Sequence, residues 1–231
     1  MLDKICLTFY NADEVKEMKK TLYSLLLDES VVREIDVLAH RSGLSRSALV
    51  NRILAEYAQL ETPESRVEQI FTQINRLMLP FPELVPMLAP NAGGISLKSA
   101  LDYKYRPTIR YEVELEQHSG GRFCRISLFY RTRSEELLQQ LNLFFRYWVR
   151  FERAWRSPLA FSVPEFTSSE GCLTRTVCLP PDLPHAEELA RQISDGIRLF
   201  DELLKQFINH RISAEELEKI CRSRFSTATF L

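Results

Sequence analysis

The sequence predicts an α+β protein in two parts. A small strand–helix–turn–helix unit comes first, and an antiparallel-sheet and helix domain of order β-β-α-β-α follows. Three observations carry this prediction. Residues 22–57 hold a short apolar run and then two helical patterns separated by Gly43. Residues 109–130 hold two alternating runs, IRYEVELEQ and RFCRISLFY, on either side of HSGG, and such a pair signals a hairpin. Between them, Pro80, Pro82, Pro86, Pro90, Gly93 and Gly94 fall within 80–100 and mark a boundary.

Taken in order, KICLTFY (4–10) alternates Ile5, Leu7 and Phe9 with Lys4, Cys6 and Thr8, the pattern of a half-buried strand. Asn11 and Asp13 suit the cap of a short helix over 12–20. TLYSLLL (21–27) predicts a second strand, although Val15, Met18, Leu22 and Leu25 also fit a helix continued to Leu26. Asp28 or Glu29 opens the next helix, with Val31, Ile35 and Leu38 as its apolar stripe. Gly43 ends it, because glycine tolerates the left-handed backbone at a helix C-terminus. Ser45 caps a further helix with Leu49, Ile53 and Tyr57 on one face. ETPES (61–65) interrupts the pattern and starts a helix over 63–79, with proline just inside the cap.

Beyond the boundary lie the hairpin and a long helix over 134–156, opened at SEEL. That helix carries Phe144, Phe145, Tyr147, Trp148, Phe151 and Trp155. A core helix packed on the sheet explains most of these aromatics, and an oligomer interface stays open for the rest. A loop is expected over 157–170, a third strand at CLTRTVCLP (172–180), a helix from Pro184–His185 to about His210, and a last short helix capped by Ser213. The expected domains are 1–60, a helix and connector over 61–101, and the α+β domain over 102–231.

Composition sets the class. The chain has 231 residues, 45% hydrophobic and 26% charged, as soluble globular proteins do. A formal net charge of −1 gives no polyelectrolyte signal for nucleic acid. Cys6, Cys124, Cys172, Cys178 and Cys221 include no CxxC pair, so reduced thiols in the cytoplasm are expected. MLDKICLTFY does not read as a signal peptide, and no run of eighteen apolar residues predicts a membrane span. His40, His118, His185 and His210 are scattered, and no phosphate-binding loop, nucleophile elbow or dinucleotide fingerprint occurs. No catalytic residue, metal or cofactor is expected.

Residues 20–58 resemble the ribbon-helix-helix domains of bacterial and phage repressors. GLSRSALV (43–50) is the most specific part of the resemblance. The resemblance implies a homodimer in which two copies intertwine and pair their strands. It also implies a sequence-specific transcriptional regulator whose ribbon enters the DNA major groove. On this basis Ser45, Arg46 and Ser47 would anchor a DNA phosphate at a helix N-terminus. Tyr23, Leu25 and Leu27, with Ile35, Leu38, Leu49 and Ile53, would form the dimer core. Lys20, Leu22, Ser24 and Leu26 would face the bases.

The chain departs from the family at that last position. Family members usually carry Arg, Lys, Thr, Asn or Gln there, whereas leucine offers only contact with a thymine methyl. Residues 1–60 balance Lys4, Lys16, Lys19, Lys20, Arg33, Arg41, Arg46 and Arg52 against nine carboxylates. An alternative strand, 4–10, would present Lys4, Cys6 and Thr8 instead. An alternative function is a dimerisation module in a protein-interaction or assembly protein, with Leu22 and Leu26 meeting a partner. The C-terminal domain would supply effector sensing or higher oligomerisation. Its stretch 104–156 carries eleven Lys/Arg against six Asp/Glu. That excess fits either a nucleic-acid surface or a solvated face with arginine stems lying on aromatics.

Overall fold

The computed structural model describes residues 22–60, 62–87, 94–118, 121–155, 162–180 and 185–227. The expected strand at 4–10, the helix at 12–20 and Lys19 and Lys20 lie outside these residues. The chain divides into two units, 1–60 and 61–231.

The first unit is a helical hairpin of α1 (Glu29–Ser42) and α2 (Arg46–Tyr57), close to the expected bounds. Gly43 ends α1 at φ 64°. Its N–H donates to His40 O (3.3 Å), and Leu44 N–H donates to Ala39 O (2.9 Å). That pair of bonds satisfies the last carbonyls of the helix. Residues 22–28 lead into α1 without regular secondary structure. The strand expected over 21–27 is therefore not formed within one chain. A strand exists through hydrogen bonds to a neighbour, and the described part of this unit supplies no second strand.

In the second unit, α3 (Pro63–Met78) starts at a reciprocal cap. Ser65 N–H donates to Thr62 Oγ1 (3.1 Å) and Thr62 N–H to Ser65 Oγ (3.0 Å). Among the described residues six antiparallel strands follow: β1 (Leu84–Met87), β2 (Gly94–Ala100), β3 (Thr108–His118), β4 (Gly121–Tyr130), β5 (Glu165–Ser169) and β6 (Cys172–Leu179). They lie side by side in the order β1-β2-β3-β4-β6-β5. Helix α4 (Glu135–Trp155) falls between β4 and β5, and α5 (Ala186–Ile208) and α6 (Ala214–Thr227) close the unit.

Two expectations are corrected here. The segment 61–101 is not a connector: its helix and two strands belong to the second unit. Pro86 disguised β1, yet proline is tolerated on an edge strand, where the missing N–H breaks no ladder. The order β-β-α-β-α also omitted β5, which lies in the expected loop. EFTSS has one apolar side chain, Phe166, so no alternation announces it.

Register sorts the side chains. Ile95, Val113, Ile126 and Arg175 stand in one cross-strand row, and Leu97, Tyr111, Leu128 and Leu173 in the next. These residues face the helices. Ile70, Ile74 and Met78 of α3, Leu137, Leu141 and Phe144 of α4, and Ile193, Ile197 and Leu204 of α5 share their core. The aromatics of α4 turn inward: Phe144 meets Phe200 (5.3 Å between centroids), and Trp148 meets Phe200 (4.7 Å) and Phe225 (5.2 Å). Two neighbouring helices and a sheet thus occupy them. The opposite sheet face is polar. There Arg125 bridges Glu114 (3.3 Å) and Glu116 (2.6 Å), Arg110 pairs with Glu112 (3.0 Å), and the Arg110 guanidinium lies 4.8 Å from the Phe129 ring centroid. Arg110 and Arg125, two of the eleven basic residues of 104–156, are therefore paired on a solvated sheet face.

Candidate nucleic-acid interface

The turn between α1 and α2 places the residues that the resemblance singles out. Ser45 has extended backbone and accepts a hydrogen bond from Ala48 N–H (3.2 Å), so it satisfies one of the free donors at the start of α2. Ser45, Arg46 and Ser47 are all exposed. Arg46 is occupied from within: its Nε and Nη2 both meet the Asp36 carboxylate of α1 at 2.5 Å. Asp36 raises the Arg46 pKa by hydrogen bonding and by charge. This fork ties the two helices together and competes with any phosphate for the guanidinium.

The extended residues before α1 show a partial two-sided pattern. Leu22 and Leu26 are 96% and 103% exposed, whereas Leu25 and Leu27 are 49% and 46%. Ser24 is exposed with the first pair, and Tyr23 does not follow the alternation at 81%. Of the remaining residues assigned to a dimer core, Leu49 is buried, Ile35 is half-buried, and Leu38 and Ile53 are exposed. Among the described residues of this unit, Ala39 and Leu49 are the fully buried apolar side chains.

The second unit holds two buried polar clusters that sequence reasoning missed. Glu152 on α4 accepts from Trp148 Nε1 (2.9 Å) and from Arg175 Nε (2.9 Å) and Nη2 (2.5 Å) of β6. Asp201 on α5 accepts from the Tyr111 hydroxyl (2.9 Å) and from Lys205 Nζ (2.6 Å). Burial, with the nearby Asp201 charge, raises the Tyr111 pKa well above 10. A signal for the first cluster existed: Leu173, Arg175 and Val177 alternate toward one face, and Glu152 stands one turn from Trp148 on an aromatic stripe. A mainly apolar cavity of about 60 Å³ borders Glu152, Arg175 and Trp148. That is room for about two waters, far below the ~300 Å³ at the low end of small-molecule sites.

No described helix is long and apolar enough to cross a membrane, and no group of His, Cys, Asp and Glu among the described residues has the arrangement to hold a metal ion. No family model, curated protein or solved structure matches the chain.

Proposed function

We propose that the chain is a homodimeric, sequence-specific DNA-binding regulator that acts through its N-terminal ribbon-helix-helix unit. The observation that carries the reading is the apolar surface the unit leaves open. A unit this small is marginal by itself, and Leu25, Leu27, Leu38 and Ile53 remain exposed in one copy. Less than half of each side chain's surface remains to be covered, which is worth roughly 1 kcal/mol apiece. A second copy supplies that cover, and it supplies the partner that residues 22–28 need to become a strand. The Ser45 cap and the exposed start of α2 fit the phosphate contact that the resemblance implies.

A second reading has its own support. Leu22 and Leu26 are apolar and fully exposed where a base-reading strand calls for donors and acceptors, which suits a dimerisation module that docks another protein.

Full-length protein is mixed with a random-sequence duplex pool at low and moderate salt, and the bound fraction is sequenced. Enrichment of a palindromic or repeated motif, with affinity falling as salt rises, is the expected result. Absence of binding at low salt removes the regulator reading and leaves the assembly module.

A further inference from the structure

The second unit carries a row of positive charge that nothing in the described structure neutralises. Arg146, Arg150 and Arg153 follow one another on α4 at spacings of four and three residues, and all three are exposed. Such spacings align side chains along one stripe. Several arginines elsewhere in this unit are matched with carboxylates: Arg125 with Glu114 and Glu116, Arg175 with Glu152, Arg191 with Glu188. For the three on α4, no carboxylate among the described residues lies within ion-pairing distance.

The row borders a groove of about 860 Å³ whose far wall includes Phe166, Thr167 and Ser168 of β5. β5 is the edge strand, paired with β6 on one side and with no described strand on the other. Its side chains are exposed apart from Phe166, so its outer row of backbone N–H and C=O groups is a template for another strand. The Arg153 guanidinium lies 5.9 Å from the Phe166 ring centroid, which joins the charged row to the free edge.

We propose that this groove takes an extended acidic peptide of a partner protein, which adds to β5 as a seventh strand and sets alternate carboxylates against Arg146, Arg150 and Arg153. The dimensions agree. Alternate side chains of a strand recur every ~6.6 Å. The arginines rise along α4 by about 6 Å and then about 4.5 Å, a difference that their flexible stems absorb. Edge hydrogen bonds supply affinity without regard to sequence, and carboxylates at alternate positions supply selectivity. Single-stranded nucleic acid matches the charge but not the rest, since it needs open aromatic faces for stacked bases. Phe166 is half-buried and already lies against Arg153.

The test uses full-length protein and short fluorescent peptides with Glu at three alternate positions separated by Thr and Val. Anisotropy is expected to show roughly tenfold weaker binding when Gln replaces Glu. A comparable loss is expected for an Arg146→Glu/Arg150→Glu protein whose near-ultraviolet circular dichroism is unchanged. Hydrogen exchange of the Glu165–Ser169 amides is expected to slow when the peptide is added. The proposal is overturned if those amides exchange at the same rate, if the charge reversal leaves affinity unchanged, or if an oligothymidylate of equal charge displaces the peptide. None of these results depends on whether the N-terminal unit binds DNA.

Discussion

Glu152 and Arg175 form a charged pair inside the helix–sheet interface, with Trp148 as a third member. Removing one partner of such a pair strands the other charge in a low-dielectric site. Glu152→Ala is therefore expected to destabilise the protein by about 3–5 kcal/mol, whereas Glu152→Leu with Arg175→Met recovers most of that loss; urea unfolding of the two proteins measures the difference. Arg46 poses a different question, because Asp36 already holds it. If Arg46 leaves Asp36 to meet a phosphate, Asp36→Ala keeps or strengthens DNA affinity, while Arg46→Ala weakens it and lowers the salt dependence by about one unit per contact. Equal weakening by both changes would mean that the pair serves only to hold α1 against α2. Titration of buried groups sets a third expectation. Burial pushes the Cys124 and Cys221 thiols from 9.0 up to about 12, and Tyr111 rises as well. The unfolded chain releases these protons at lower pH than the native chain does, so it binds fewer protons, and stability falls as pH rises past about 9. Unfolding midpoints measured from about pH 8 to about pH 11 should drop steadily, with Cys124→Ser reducing the slope.

The elements that were legible in the sequence are those whose own periodicity reports their environment. α1, α2, α4 and α5 each repeat apolar residues at helical spacing, and β3, β4 and β6 alternate. β1, β2 and β5 were not legible. Pro86 and the surrounding glycines masked the first two, and β5 is polar because it sits at the sheet edge with one apolar contact to make. Glycine positions separate local strain from crowding. A Cβ at Gly43 meets nothing within 4 Å, so Gly43→Ala is expected to cost only the left-handed backbone, about 1–2 kcal/mol. At Gly171, with φ 72°, a Cβ falls 2.9 Å from the Tyr130 carbonyl oxygen, so Gly171→Ala adds a clash to the same strain and should cost more. Thermal unfolding of the two variants tests that order.

At the scale of the whole molecule, the two units solve stability in different ways. Among its described residues, the second unit covers one face of a six-stranded sheet with four helices and closes its own core. The first leaves its apolar faces open, which is the physical basis for expecting a dimer. Leu25→Glu with Leu27→Glu should convert the full-length protein to a monomer in sedimentation equilibrium. The near-ultraviolet signal of the Trp148–Phe200–Phe225 cluster should stay intact. A dimer that survives this change would place the interface elsewhere.

The sequence by itself determined where α1 and α2 begin and end, the Ser45 cap and the β3–β4 hairpin. These depend on nearest neighbours along the chain: caps, glycine conformations and periodicity. Tertiary structure alone decided that β1 and β2 join the sheet, that Arg46 meets Asp36, that Glu152 meets Arg175, and that three arginines of α4 border a free strand edge. Each of those brings together residues that are not neighbours along the chain, and no local pattern encodes which side chain or strand will stand opposite.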